Sequence, residues 1–298
     1  MKDLNKILAK KFKERFFCDK NFKDITTFKI GGKIRFFVYV KTIKEIKYLL
    51  KFCRKNNQRY VVLGAGSNVL CSDKGFDGLV ILTTKMNNIK HKSNLVYAEC
   101  GAKIGSVVIF CKNQNLSGLE WAIGIPGTMG GAAVMNAGAY QNELYSFVES
   151  VVILDGKNIK KIKKDKIIYG YRKTCFQDKN YIILGVYLKL KPKSQIEILK
   201  NIDYYVELRR HSQNINFPNA GSIFKKTNGI SAGELIDRCG LKGYKIGDAM
   251  ISKSHAGFIV NLGKATQKDV QNLIDFILIS VYNMFSLKLE LEIKEIGD

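Results

Sequence analysis

Three polar side chains in this sequence have types and settings that could support chemistry. Ser222 lies in "FPNAGSIFKK", Arg172 in "YGYRKTCF" and Glu292 in "LELEIKEIG". A serine nucleophile on a sharp strand-to-helix turn is expected in the pattern G-x-S-x-G, which the residues around Ser222 do not form. The local sequence therefore predicts no serine nucleophile and leaves the role of Ser222 open.

Arg172 and Glu292 each have two interpretations on local sequence alone. The planar fork of an arginine suits a carboxylate or an oxyanion, but the local sequence favours a salt bridge at a strand edge for Arg172. Strict alternation in the C-terminal segment puts Glu292 on a polar strand face with Lys288, Glu290 and Lys294. The default expectation for such a glutamate is a solvated carboxylate.

Two glycine-rich segments follow strand-like runs and could hold an anion. They are "LGAGSNVL", residues 63–70, and "GIPGTMGGAA", residues 124–133. Consecutive backbone N–H groups in such turns can bind a pyrophosphate. The first segment departs from the dinucleotide pattern G-x-G-x-x-G because Val69 stands at the third glycine position. Two such segments together favour one large nucleotide cofactor.

The elements that hold these segments follow from apolar periodicity and capping patterns. Residues 1–16 predict a basic amphipathic helix, and residues 33–63 predict strand, helix and strand in turn. Three capping boxes are predicted, and they pair Thr42 with Glu45, Ser231 with Glu234, and Thr266 with Asp269. The middle of the chain is mostly strand-like, with one helix from 104 to 114, and a long helix precedes the alternating C-terminal strand. This order predicts an α+β protein.

Composition bounds the class of protein. The chain has 298 residues and a formal net charge of +23. Its lysines are spread along the whole sequence, which favours solvated faces over a dedicated polyanion site. Seven cysteines without a C-x-x-C pattern predict reduced, mostly buried thiols, and His91, His211 and His255 stand too far apart in sequence to suggest a metal site. With no signal peptide and no apolar run near the ~20 residues of a spanning helix, we expect a soluble cytoplasmic protein.

Eight segments, taken in order, resemble one family over nearly the whole chain. They are "TTFKIGG", "LGAGSNVL", "GLEWAIGIPGTMGGAAVMNAGAY", "YGYRKTCF", "NAGSIFKK", "SAGELIDRCGLKGYKIGDA", "SHAGFIVN" and "LELEIKEIG". This arrangement resembles the UDP-N-acetylenolpyruvoylglucosamine reductases, also called UDP-N-acetylmuramate dehydrogenases, in their shorter class without a long tyrosine-bearing loop. The glycine-rich middle segment is similar to the FAD-binding domain of the vanillyl-alcohol oxidase group.

The resemblance implies an α+β fold of three domains. Two would form a PCMH-type, vanillyl-alcohol oxidase-like FAD-binding unit, and the third would be an α+β substrate-binding domain. The implied limits are residues 1–60 with 286–298 for the first FAD subdomain, 61–193 for the second, and 194–285 for the UDP-sugar domain.

The resemblance also implies a reaction and its residues. NADPH would reduce non-covalent FAD, and the flavin N5 would then pass hydride to C3 of the enolpyruvyl ether in peptidoglycan precursor synthesis. Arg172 and Glu292, the latter as a protonated acid, would stabilise the enolate-like state, and Ser222 would give a proton to C2. The substrate contacts implied are Tyr171, Arg172, Lys225 and Arg210. The FAD contacts implied are Thr27, Gly64, Ala65, Gly66, Ser67, Asn68, Gly124, Pro126, Gly127, Thr128, Gly130, Gly131, Ala132, Asn136 and Gly138.

Departures from the family pattern concern the substrate phosphates. Ser212 and Asn214 replace a lysine and a proline before the serine motif, and Lys226 follows "FK". Arg209, Arg210 or Lys226 could supply the missing positive charge.

We expect a monomer that contacts neither nucleic acid nor membrane and holds no metal. Two alternatives stay open. One is a flavin oxidase or dehydrogenase with another substrate, which would not need Arg172, Ser222 and Glu292 together. The other is a basic nucleic-acid-binding protein, which would not need either glycine-rich segment.

Overall fold

The structure is a computed structural model, and it describes residues 4–179, 181–213 and 216–297. The predicted domain limits at residues 1 and 298, and the departure at Asn214, lie outside the described residues. The described helices are α1 Leu4–Phe12, α2 Ile43–Lys55, α3 Ile104–Asn113, α4 Met129–Met135, α5 Gln195–Ser212, α6 Ala232–Arg238 and α7 Gln267–Phe285.

Strands are short and numerous among the described residues. They are β1 Phe16–Asn21, β2 Lys33–Tyr39, β3 Tyr60–Leu63, β4 Val69–Cys71, β5 Phe76–Leu82, β6 Ile89–Lys92, β7 Leu95–Glu99, β8 Leu116–Ser117, β9 Gly138–Ala139, β10 Asn142–Glu143, β11 Val148–Asp155, β12 Asn158–Lys163, β13 Tyr169–Gly170, β14 Lys173–Thr174, β15 Tyr181–Lys189, β16 Lys191–Pro192, β17 Asn219–Ser222, β18 Lys245–Ile246, β19 Ala249–Ile251, β20 Phe258–Asn261 and β21 Lys294–Ile296. The larger sheets have the orders β1-β2-β5-β3, β12-β11-β15-β7-β6 and β17-β20-β19-β18.

The chain divides into two compact units. The first contains Met1–Phe37, Gly66–Leu79 and Arg210–Asp298, and the second contains Val38–Ala65 and Val80–Arg209.

The first unit is built around the antiparallel sheet β17-β20-β19-β18 and the helices α6 and α7. Helix α7 begins with the predicted capping box, in which the Thr266 hydroxyl accepts from Asp269 N–H and the Asp269 carboxylate accepts from Thr266 N–H. Its buried stripe is Val270, Leu273, Ile274, Ile277 and Val281. In the same unit, β21 pairs with β4 in parallel.

The second unit is built around the five-stranded antiparallel sheet, and α3 and α4 belong to the same unit. Helix α2 begins at Thr42, whose hydroxyl accepts from Glu45 N–H as predicted. The reciprocal half of that capping box is replaced, since the Glu45 carboxylate accepts from Lys41 N–H at 2.7 Å.

Several sequence predictions of local structure are wrong in detail. The N-terminal helix ends at Phe12. The glycine-rich segment contains helix α4, because Gly130 and Gly131 are accommodated within a run of helix-forming alanine and methionine. Ser231 begins α6 without a side-chain cap hydrogen bond. The C-terminal segment is a regular strand only over β21, and an isolated bridge joins Leu291 to Phe224.

Candidate active site

Ser222 and Glu292 are neighbours in the first unit, on segments joined by backbone hydrogen bonds. Ser222 ends β17, and Glu292 N–H donates to the carbonyl of the next residue, Ile223, at 2.8 Å. Next to this bond, an isolated antiparallel bridge joins Phe224 to Leu291. The default expectation of a solvated carboxylate does not hold for Glu292, because the residue is only partly exposed.

The Ser222 hydroxyl is held by its own turn. Its Oγ donates to the Phe224 carbonyl at 3.0 Å, and Gly221 before it has a φ of +79° with open space where a Cβ would stand. No group that would activate a serine as a nucleophile enters these bonds. This bond holds the Ser222 side chain in one orientation, and the hydroxyl would have to leave the Phe224 carbonyl to give its proton to another acceptor.

A second loop of the first unit reaches the same C-terminal segment. Asn68 Nδ2 donates to the Glu292 carbonyl at 3.1 Å, and Lys294 N–H donates to the Asn68 carbonyl at 3.0 Å. Thr27 N–H donates to the Gly66 carbonyl at 3.2 Å, and its hydroxyl donates to the Asn219 carbonyl at 2.7 Å. The predicted cofactor residues Thr27, Gly66 and Asn68 therefore share one hydrogen-bonded neighbourhood with the serine strand.

The basic side chains after the serine differ in their surroundings. Lys225 Nζ lies 3.0 Å from Glu290 Oε2, and the lysine side chain is 26% exposed. Lys226 is exposed, and so is Arg210 in the last turns of α5. Lys225 is therefore the most enclosed of these three cations and the one held next to the C-terminal segment.

Arg172 belongs to the second unit, in the turn between β13 and β14, where its φ is +53°. Its guanidinium donates to the Gly138 carbonyl at 2.6 Å and to the Asn136 carbonyl at 3.4 Å. Its carbonyl accepts from Gln177 Nε2 at 3.0 Å, and its Cζ lies 5.0 Å from the centroid of the Tyr171 ring. These contacts fix the guanidinium against the segment that follows α4.

Asn136 is the buried centre of this turn. It is fully buried with a φ of +45°, and its Nδ2 donates to Glu143 Oε2 at 2.9 Å and to the Gly170 carbonyl at 3.0 Å. Tyr145 N–H donates to its Oδ1 at 3.2 Å. Asn136 is thus occupied in holding the hairpin that carries Arg172.

The glycine positions of the second unit form a cradle that tests the fit of a flavin nucleotide. The Thr128 hydroxyl is buried, and among the described residues it has no hydrogen-bond partner. A Cβ at Gly64 would overlap that hydroxyl, and a Cβ at Gly130 would stand 2.9 Å from Cys100 Cβ. An unsatisfied buried hydroxyl beside a position that accepts no side chain fits a phosphate-bearing ligand.

Arg209 holds the loop around Gly124, at the start of the second glycine-rich segment, a role that the sequence did not indicate. Gly124 has a φ of +76°, and a Cβ there would stand 2.8 Å from Arg209 Cδ. Arg209 Nε donates to the Ile123 carbonyl at 3.2 Å, and its Cζ lies 5.6 Å from the centroid of the Tyr140 ring. Burial lowers the pKa of the Arg209 guanidinium. Arg209 therefore contacts the loop around Gly124 through its guanidinium.

The other predicted cofactor residues lie in the same two segments and just after them. The Gly127 carbonyl accepts from Ile104 N–H at 3.2 Å, and Gly130 N–H in α4 donates to the Cys100 carbonyl at 2.8 Å. The remaining predicted positions are Ala65, Ser67 and Pro126 in the loops, Gly131 and Ala132 in α4, and Gly138 in β9.

Other candidate chemistry is limited. All seven cysteines are free thiols, and burial raises the pKa of Cys53, Cys71, Cys100 and Cys111 to about 12. Among the described residues no group of three or more histidine, cysteine or acidic side chains could hold a metal ion. Over the same residues, no helix combines the length and apolar character needed to cross a membrane.

Comparison with known proteins shows which families the chain resembles over most of its length. Residues 34–158 match the family described as FAD binding domain, and residues 213–296 match the C-terminal domain of UDP-N-acetylenolpyruvoylglucosamine reductase. Reductases of that name from Caldicellulosiruptor saccharolyticus and Clostridium tetani are 44% and 38% identical, over 95% and 93% of this chain and 92% and 90% of their own length.

A solved structure supports the same relationship. The crystal structure of UDP-N-acetylenolpyruvylglucosamine reductase from Thermus caldophilus has a TM-score of 0.79 and 34% identity, covering 94% of this chain and 97% of its own. Together the matches confirm the predicted α+β class with a PCMH-type FAD-binding unit and a C-terminal domain of a second kind.

Proposed function

The chain belongs to the UDP-N-acetylenolpyruvoylglucosamine reductase family and is an FAD-dependent oxidoreductase, and from this premise we propose that it reduces UDP-N-acetylenolpyruvoylglucosamine to UDP-N-acetylmuramate. NADPH serves as the reductant, and the product enters peptidoglycan precursor synthesis. Bound non-covalently, FAD supplies the redox chemistry by accepting hydride from NADPH and passing it to C3 of the enolpyruvyl ether.

The cradle of the second unit holds the cofactor. The Thr128 hydroxyl and the backbone N–H groups beside Gly64, where a side chain would overlap that hydroxyl, would hold the phosphate groups of the cofactor.

The remaining task of the protein is to stabilise charge and deliver a proton. Arg172 pairs with the substrate carboxylate through its planar fork, because negative charge spreads onto that carboxylate as C3 accepts hydride. Glu292, in its protonated form, donates a hydrogen bond to the same developing negative charge. The Ser222 Oγ–H bond breaks while a C2–H bond forms, which completes the reduction of the double bond, and the serine alkoxide then regains a proton from water.

The proposal is supported most by the bond from Glu292 N–H to the Ile223 carbonyl, at 2.8 Å. It holds the Glu292 backbone beside Ile223, the residue that follows the serine. The Ser222 hydroxyl itself donates to the Phe224 carbonyl and not to a histidine. A serine so placed lacks the activation needed for nucleophilic attack, but it can donate a proton to a carbanion-like carbon.

The reaction separates into two halves that can be measured one at a time. Ser222→Ala should leave reduction of the flavin by NADPH unchanged, and should slow reoxidation by the UDP-sugar roughly 10²–10⁴-fold, the usual contribution of a positioned proton donor. Stopped-flow absorbance of the flavin measures both halves.

Ser280→Ala is a matched control, because the Ser280 hydroxyl also donates to a backbone carbonyl, at 2.8 Å, but in the middle of α7. It should leave both halves unchanged. Equal slowing of both halves by Ser222→Ala would contradict a proton-donating role.

A purified protein that is colourless and takes up no FAD would contradict the proposed function as a whole.

A further inference from the structure

Asn68 joins the loop after β3 to the C-terminal segment at one residue. Its Nδ2 donates to the Glu292 carbonyl at 3.1 Å, and its own carbonyl accepts from Lys294 N–H at 3.0 Å. Directly beyond, Val69 pairs with Lys294 at the start of the parallel ladder between β4 and β21. Asn68 therefore fixes the chain on both sides of Ile293.

The opposite side of Glu292 is fixed by the serine strand. Its N–H donates to the Ile223 carbonyl at 2.8 Å, and Lys225 N–H donates to the Glu290 carbonyl at 2.8 Å. The peptide groups on both sides of the Glu292 Cα are thus held, one by a backbone carbonyl and the other by the Asn68 side chain. Regular strand pairing does not reach this position, since β21 begins only at Lys294.

We infer that the Asn68 side chain is a positioning residue for Glu292, a role that rests on the proposed function of that glutamate. Without the amide donor, the Glu292 carbonyl loses its partner and the carboxylate can shift while the backbone bond to Ile223 remains. A displacement of about 1 Å in a reacting group costs up to ~10²-fold in rate.

This role differs from the cofactor contact predicted for Asn68 from the family resemblance. A side chain that binds the cofactor would lower FAD affinity and both half-reactions when removed. A side chain that acts through Glu292 would affect only the step in which Glu292 takes part.

The test combines Asn68 and Glu292 variants in one cycle. Asn68→Ala should bind FAD as tightly as the wild type by fluorescence titration of the apoprotein, and should be reduced by NADPH at the wild-type rate. Reoxidation by the UDP-sugar should slow roughly 10–100-fold in its limiting rate, with little change in half-saturating concentration. In a Glu292→Gln background the same substitution should slow reoxidation little further, since residues that act through one another are not additive.

Hydrogen–deuterium exchange supplies a readout that needs no catalysis. The segment 287–297 should exchange faster in Asn68→Ala than in the wild type, with and without FAD, because the Glu292 peptide has lost one anchor. Asn68→Asp keeps the side-chain size but replaces the donor with an acceptor, and should have the same effects. It serves as the second variant if Asn68→Ala does not fold.

Asn56→Ala is the matched control. Asn56 Nδ2 also donates to a backbone carbonyl, that of Phe52 at 2.8 Å, but at the end of α2. This variant should leave both half-reactions and the exchange of 287–297 unchanged.

Three outcomes would overturn the inference. The first is weaker FAD binding together with slower flavin reduction in Asn68→Ala, which would make Asn68 a cofactor ligand. The second is a double variant whose reoxidation is slowed by the full product of the Asn68→Ala and Glu292→Gln factors. The third, wild-type reoxidation by Glu292→Gln, refutes the proposed role of Glu292 itself, whatever the Asn68 variants do.

Discussion

The two groups of candidate residues, one in each unit, are built by different means. Around Ser222 and Glu292, a hydrogen bond between main-chain atoms of Ile223 and Glu292 sets the spacing of two segments, and the Asn68 side chain adds one bond to the Glu292 carbonyl. Around Arg172, side chains set the geometry: the guanidinium donates to the Asn136 and Gly138 carbonyls, and Asn136 is itself held by its side-chain amide.

This difference predicts different sensitivities to mutation. Backbone pairing depends on register and tolerates many side-chain changes nearby, because every residue supplies the same N–H and C=O groups. A side-chain network depends on the identity of each member and on the left-handed backbone of Arg172 and Asn136. The Arg172 region should therefore be the more fragile of the two.

Within the Arg172 region, removal of the guanidinium should have the largest effect. Arg172→Met keeps much of the side-chain length but deletes the charge, so reoxidation of the reduced enzyme by the UDP-sugar should slow roughly 10²–10³-fold, as when a stabilising donor of an oxyanion is lost. Flavin reduction by NADPH should not change. Stopped-flow kinetics of the two half-reactions measures the contrast.

Arg172→Lys distinguishes charge from fork geometry. A lysine restores the charge but cannot donate in parallel to two acceptors, so it should recover only a small part of the lost rate. Full recovery by lysine would show that the rate depends on the positive charge alone and not on the contacts with Asn136 and Gly138.

Gly138 tests whether that turn tolerates crowding. A Cβ at Gly138 would stand 3.0 Å from Arg172 Nη1 and overlap the Asn142 carbonyl. Gly138→Ala should therefore displace the guanidinium and slow reoxidation by up to about 10²-fold, with a lower melting temperature. Gly170→Ala is the control, since a Cβ at Gly170 meets nothing within 4 Å. Equal rates for the two variants would show that the turn is as tolerant as the serine strand.

The sequence predicted the class of fold better than the surroundings of the candidate residues. Apolar periodicity was sufficient for α7, and Thr266 with Asp269 began it as predicted. The partial burial of Glu292 could not be predicted from alternation, because alternation does not show which segment lies alongside, and the bridge beside it joins Leu291 to Phe224, which is distant in sequence.

Backbone conformation was the other missing information. Arg172 and Tyr140 adopt φ values of +53° and +51°, which neither residue type favours. Surrounding packing imposes such conformations, so a local pattern does not indicate them. The contact of Arg209 with the Ile123 carbonyl likewise joins positions 86 residues apart.

His255 offers a pH test confined to the serine region. Burial lowers the pKa of its imidazole, and its Nδ1 accepts from Gly257 N–H, while the Gly257 carbonyl accepts from Ile223 N–H. The unfolded chain therefore takes up a proton before the folded one. The contribution of the neutral, buried His255 to the free energy of unfolding is full above the ordinary pKa of about 6.5 and is lost as the pH falls below that value.

Two measurements check this expectation. As the pH falls from neutral, the hydrogen-exchange protection factor, which corrects for the slower intrinsic exchange at lower pH, should decrease in the segment around Ser222 more than around Arg172. His255→Gln, which removes the titrating group, should weaken the pH dependence of the unfolding free energy over that range. An unchanged pH dependence in the variant would exclude His255 as its source.

The smallest effect is expected at Lys225, whose ammonium lies 3.0 Å from Glu290 Oε2 while the glutamate side chain is 75% exposed. A pair so exposed contributes about 0–1 kcal/mol, so Glu290→Gln should change the unfolding free energy little. It should nevertheless lower the half-saturating concentration of the UDP-sugar, since a lysine without its carboxylate partner attracts a phosphate more strongly, and this gain should fade as salt is added. Asp77→Asn breaks an exposed pair of the same length with Arg35 and should leave that concentration unchanged. If Glu290→Gln and Asp77→Asn behave alike, Lys225 does not meet the substrate phosphates, and its role narrows to holding the C-terminal segment beside Ser222.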